Sequence, residues 1–310
     1  MNALVNRGSG TEWPVLVGNP IVTDVYTSDP VVLVHDGVAY LYTGHDEAPP
    51  GADRYVMRNW LCFSSTDLVS WRPHGPLLRV DQFAWARDGA KASSVVERDG
   101  RFFWYVAVNH ATIEGGAIGV AVSDHPTGPF QDALGRALVT NDVPFDTGDD
   151  HTIDPSVIVH DDQASLFWGK ERCFSTRLDD SMTALAGPIS EIELPEFKEG
   201  AYVHERNGWF YLSYGFAYPQ RVAYARCRNL NEPWTFEGIV SEVPGNCATN
   251  RPAIVEFAGR WYFFYHNGVL PGGSSHRRSV CVDRLTYDDH GRMNRVRMTT
   301  EGLRSELSPA

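Results

Sequence analysis

Two stretches of this chain set a carboxylate directly before a proline at the start of an apolar run: Ser28-Asp29-Pro30-Val31-Val32 and Ile153-Asp154-Pro155-Ser156-Val157. A third acid, Glu199, stands before Gly200 at the head of a similar run. A single Asp-Pro is ordinarily a strand-initiating turn, with Asp capping local N–H groups. Three acids at equivalent places mean more. Carboxylates gathered in one small volume repel each other and raise at least one pKa, which does nothing for folding and marks function. With no Cys/His metal cluster in the sequence, such acids suit glycoside hydrolysis. One protonates the leaving oxygen, and another activates water or attacks the anomeric carbon.

The elements that must position these acids recur five times. Residues 29–44, 92–108, 154–169, 200–215 and 251–266 share one pattern. Each reads as a short strand, a two-residue turn of the Asp-Gly or Asn-Gly type and an aromatic-rich second strand, which is a β-hairpin signature. The turn positions Gly37, Gly100, Asp162, Gly208 and Gly259 recur about every 45 to 65 residues, the spacing of propeller blades. Third and fourth strands follow, as in Leu61-Cys62-Phe63-Ser64-Ser65 before Asp67-Leu68-Val69-Ser70-Trp71. Four strands in each of five units predict an all-β, five-bladed β-propeller, a single domain over residues 1–310 without an appended carbohydrate-binding module. A β-sandwich would not recur fivefold. The aromatic runs Phe102-Phe103-Trp104-Tyr105 and Trp209-Phe210-Tyr211 are expected between blades.

The first strand of a propeller blade lines the central channel. Eight residues before each turn stand Asp29, Ala92, Asp154, Gly200 and Arg251, and one residue earlier lie Lys91, Glu199 and Asn250. Asp29, Asp154 and Glu199 therefore share one depth, with Arg251 and Lys91 presented by the other two blades. Acids from different blades leave room for a water, which favours inversion. His45 and His266 end second strands and are candidates for the pocket mouth. Phe216, just past another second strand, is a candidate sugar contact.

Composition narrows the partners. A net charge of −12 leaves no excess of Lys and Arg to neutralise phosphates, so neither nucleic acid nor an anionic membrane is expected. No apolar run approaches the length of a membrane span. Met1 to Arg7 carries no secretory signal, and the five scattered cysteines lack CxxC spacing. Reduced thiols in a cytoplasmic protein are the expectation, with no zinc site. No pattern specifies an oligomeric state.

The ordered set of motifs resembles glycoside hydrolase family 43, from Asn19-Pro20 to about Arg297. Tyr42-Thr43-Gly44-His45-Asp46-Glu47, Tyr55-Val56-Met57, Phe264-Tyr265-His266-Asn267-Gly268 and Arg278-Ser279-Val280 are similar to its arabinoxylan arabinofuranohydrolase and β-xylosidase branch. The resemblance implies a five-bladed propeller with an inverting mechanism. It makes Asp29 the general base, Glu199 the general acid, and Asp154 the residue that tunes the acid and orients the sugar. It also places Asn250 and Arg278 on the reacting sugar. The implied activity is exo-release of α-L-arabinofuranosyl or β-D-xylosyl ends from arabinoxylan-type oligosaccharides, with small oligosaccharides or aryl pentosides as substrates. Two departures stand out. Arg251 occupies the place of an axial His that often neighbours calcium, so no essential calcium, metal or other cofactor is expected. Lys91 stands where relatives carry a sugar-stacking Trp. A sugar-binding propeller without catalysis, and a propeller glycosidase acting on other pentosides or, by retention, on fructosides, are the alternatives.

Overall fold

The computed structural model describes residues 18–143 and 151–303, so the two chain ends of the expected single domain, with Met1 to Arg7, lie outside the described residues. All five expected hairpins form, and their turns show why. Asp36/Gly37, Asp99/Gly100, Asp161/Asp162, Asn207/Gly208 and Ala258/Gly259 all have positive φ at both turn positions. That is the geometry whose twist matches antiparallel strands and which Gly, Asn and Asp adopt most cheaply. Each turn joins residues paired directly across it, from His35 with Val38 to Phe257 with Arg260.

The innermost strands are Thr27–His35, Ser93–Arg98, Ser156–His160, Phe197–Arg206 and Ala253–Phe257. Each heads its own antiparallel sheet, and the five sheets make the blades. Blades 1, 3 and 4 have the expected four strands. Blade 2 is more divided, because its long second strand, Arg101–His110, overshoots the innermost strand. The overshoot pairs with Ala86–Asp88, which brings Asp88 and Asn109 together.

Among the described residues, blade 5 has three strands, ending in Ser279–Leu285. The segment ahead of blade 1 lies along that last strand. Ile21 N–H donates to Val280 O at 2.9 Å, and the Asn19 side chain brackets Val282, donating to its O at 3.0 Å and accepting its N–H at 2.8 Å. The fourth place in the last blade is thus taken by the start of the first, which closes the ring.

The core is not one cluster but five, each between neighbouring blades. Strand alternation explains this, since successive side chains point to opposite faces and both faces of a blade are covered. Along Arg101–His110, Phe102, Trp104 and Val106 pack toward blade 1, while Phe103 and Tyr105 pack toward blade 3. Serine hydroxyls stitch the innermost strands together: Val157 N–H donates to Ser94 Oγ and Val203 N–H to Ser156 Oγ, both at 3.0 Å.

Asn19 is 5% exposed and also donates to the Asp283 carboxylate and to Thr299 O. Replacing it with Ala leaves several buried groups unpaired, so Asn19→Ala is expected to lower stability by about 2–3 kcal/mol. Urea unfolding measures this, and a loss near zero would show that the ring closes without that side chain.

Candidate active site

Local backbone irregularity, rather than regular strand, aims the acids. Asp29 and Asp154 adopt φ of 48° and 55°, the left-handed region that Asp tolerates better than most residues. Asp29 sits in a register shift between Ser28 and Val31, and Glu199 lies between two further shifts in its own strand. Gly200 follows at φ 74°, a conformation that costs glycine nothing. Each acid therefore leaves the strand alternation at the channel mouth.

There they meet. Asp29, Asp154 and Glu199 line one cavity of about 730 Å³ with Lys91, Asn250, Arg251, His266 and Arg278. Asp29 and Asp154 are only 8% and 7% exposed, whereas Glu199 is half-buried.

Burial of three acids is sustained by two guanidinium groups. Arg278 Nη1 donates to Asp29 Oδ1 at 3.1 Å. The same guanidinium grips buried Asp46 through Nε at 2.8 Å and Nη2 at 3.0 Å. Such forked pairing fixes orientation as well as charge. Arg251, 2% exposed, reaches across the axis to three other blades. It donates to Pro30 O at 3.4 Å and to Ser93 O and Pro155 O at 2.9 Å each.

The two aspartates are driven apart. Burial works against ionisation of Asp29, yet Arg278, His266 and Arg251 together hold its carboxyl below the usual carboxylate range. Asp154 is pushed up to about 7, first by burial and then by the Glu199 charge, with Arg251 and the Gly200 N–H opposing. Asp154 thus holds a proton toward neutral pH while Asp29 is ionised. Opposed environments of this kind separate a base from an acid.

Of the other residues singled out from sequence, Asn250 is 1% exposed, and neither polar atom of its side chain has a partner among the described residues. An unsatisfied buried amide lining a cavity is built to meet a ligand. His266 accepts the Asp29 N–H at Nδ1, 3.2 Å, and its Nε2 lies 3.1 Å from Thr249 O, so it braces Asp29 from behind. Lys91 lines the cavity, and its carbonyl accepts from Trp60 Nε1 at 2.7 Å.

Two of the expected contacts fall outside the lining. His45 turns to Asn59, with Nδ1 at 3.1 Å from Oδ1. Phe216 stacks on Phe236 at 6.1 Å and lies under Arg221, on the flank of blade 4. Both end second strands, in blades 1 and 4.

Asp46, Tyr55 and Gln220 were not singled out from sequence. Asp46 anchors Arg278, and Tyr55 lines the cavity with its ring 4.8 Å below the Arg278 guanidinium. Asp46 and Tyr55 lie inside quoted motifs, so a signal for them existed. Gln220 lies in a loop between strands, with no pattern to reveal it.

Three carboxylates converging on one pocket of a five-bladed propeller supply the groups that glycoside hydrolysis requires. The chain belongs to glycosyl hydrolases family 43, which it matches over residues 17–293. It is 29% identical to xylosidase/arabinosidase 43A of Humicola insolens, over 88% of this chain and 98% of that protein. It is 27% identical to an arabinoxylan arabinofuranohydrolase of Paenibacillus polymyxa, over 92% of this chain and 52% of that one. Among solved structures, the α-L-arabinofuranosidase CtGH43 of Clostridium thermocellum superimposes with a TM-score of 0.75 at 31% identity, over 91% of this chain and 97% of that chain. CoXyl43, a β-xylosidase/α-arabinofuranosidase from a compost metagenome, gives 0.79 at 28%, over 94% and 98%.

The raised Asp154 has a consequence for stability. Its folded pKa of about 7 exceeds the ordinary 3.8, so the folded protein binds more protons than the unfolded chain between those values. Stability then falls as pH rises through that window. Asp154→Asn removes the titration. The variant is expected to melt above the parent at pH 8, with the gap closing below pH 5. Melting curves across pH test this, and a pH-independent difference would contradict it.

Proposed function

We propose that this family 43 hydrolase is an inverting exo-glycosidase that releases α-L-arabinofuranosyl or β-D-xylosyl ends from arabinoxylan-type oligosaccharides. The observation that carries the proposal is the opposed state of two of the converging acids: Asp29 held ionised by Arg278, and Asp154 holding a proton beside Glu199, in one small-molecule-sized cavity. The names of the relatives, which join xylosidase with arabinosidase, support a pentoside substrate.

In the proposed reaction the Asp29 carboxylate accepts a proton from a water whose oxygen attacks the anomeric carbon. The carbon–oxygen bond to the leaving group breaks, and that oxygen takes the proton from Glu199. Asp154, which burial and the neighbouring Glu199 charge keep protonated toward neutral pH, holds a proton beside Glu199. The more accessible Glu199 delivers it. Asn250, with its unpartnered amide, and Arg278 hold the sugar hydroxyls.

The axis needs no calcium in this proposal. Arg251 already donates to carbonyls of three blades, so the oxygens that would attract a cation there face a guanidinium. That donor set does not fit an added metal ion.

Asp29→Asn and Glu199→Gln are each expected to cost about 10²- to 10⁴-fold in turnover of aryl α-L-arabinofuranoside or β-D-xyloside. Near-parental activity in either variant removes the assignment. Activity of the parent is expected to survive exhaustive chelation, and loss restored by calcium would overturn the role given to Arg251.

A further inference from the structure

The general acid is held by a side chain that no motif announces. Gln220 lies in the loop between two strands of blade 4, Trp209–Phe216 and Arg221–Cys227, and is 3% exposed. Its backbone N–H donates to Ala248 O at 2.8 Å. Its side chain spans two blades: Oε1 accepts the Asn250 N–H at 2.8 Å, and Nε2 donates to Glu199 Oε1 at 2.8 Å. The amide packs close to Gly215, where a Cβ would stand 3.0 Å from Gln220 Oε1 and 3.1 Å from Gln220 Cδ. The cradle admits the amide because residue 215 has no side chain.

The chain of polarity runs one way. A backbone N–H only donates, so the end of the Gln220 amide facing Asn250 must be oxygen. The end facing Glu199 is therefore NH₂, which only donates. Glu199 Oε1 then accepts in either protonation state, and because the carbonyl oxygen of a carboxyl accepts better than its hydroxyl oxygen, the contact favours the transferable proton on Oε2.

We propose that Gln220 is the positioning residue of the general acid, fixing the orientation of the Glu199 carboxyl and favouring its proton on Oε2. The proposal rests on the assignment of Glu199 as acid. It also ties the acid to the backbone of Asn250, so that the proton donor and the sugar-binding amide are registered on one another.

Leaving-group chemistry tests this. A dinitrophenolate leaves without proton assistance, whereas an alkyl or xylosyl oxygen requires it. The ratio of kcat/KM on xylobiose to that on the dinitrophenyl glycoside reports the acid alone, and measuring both on one sample cancels any unfolded fraction. Gln220→Met keeps the length of the side chain and removes the donor. It is expected to lower the ratio by about 10- to 100-fold, less than Glu199→Gln lowers it. Gln220→Glu supplies rescue, since a protonated carboxyl reproduces one donor and one acceptor. Its ratio is expected to recover as pH falls and collapse as pH rises.

If Glu199→Gln lowers the ratio but both Gln220 variants leave it at the parental value, the role of Gln220 is overturned while the acid stands. If Glu199→Gln itself leaves the ratio unchanged, the assignment of the acid fails, and this inference with it.

Discussion

Three carboxylates share one pocket here, two of them buried, because two guanidinium groups are buried with them. Taking a charge out of water is costly unless it is paired and hydrogen-bonded. Arg278 meets the need of Asp29, and Asp46 in turn holds Arg278 in a fork. Arg251 supplies a second cation close enough to lower both Asp29 and Asp154. The acids remain unequal because the cations are unequally placed: Arg278 stands on the Asp29 side, leaving Asp154 to its burial and to Glu199. Chemistry and folding are thus served by the same ion pairs.

Those pairs are also what hold blades to one another at the axis. Arg278 belongs to blade 5 and grips two residues of blade 1, and Arg251 reaches carbonyls of blades 1, 2 and 3. Farther out, the apolar clusters between blades do this work. At the rim, the segment ahead of blade 1 lies along the last strand of blade 5. Polar contacts at the centre, apolar packing in the middle and backbone pairing at the seam follow from the shape. A blade is narrow and exposes carbonyls at the axis, and it widens into side-chain contact outside.

Much of this was legible in the chain. Five turns with residues that accept positive φ, each before an aromatic-rich strand, announce five hairpins. Counting back from them places Asp29, Asp154 and Glu199 at one depth, and the cavity gathers all three. The same count brings Arg251, Asn250 and Lys91 to the pocket. It does not extend to second strands: His45 and Phe216 occupy repeat-equivalent places but fall outside the lining, while His266, also at a second-strand end, lies behind Asp29.

What the sequence by itself determined is whatever repeats with short-range rules: turn, strand, blade and the register of an acid relative to its own turn. These depend on φ preferences and on alternation, which act over a few residues. What only the tertiary structure decided is which partners meet across the ring. Asp46 finds Arg278 at a separation of 232 residues. Gln220 bridges Glu199 and Asn250 from a loop, and Arg251 spans carbonyls of three blades. Such contacts depend on the closure of five blades around one axis, a long-range geometry that no local pattern encodes.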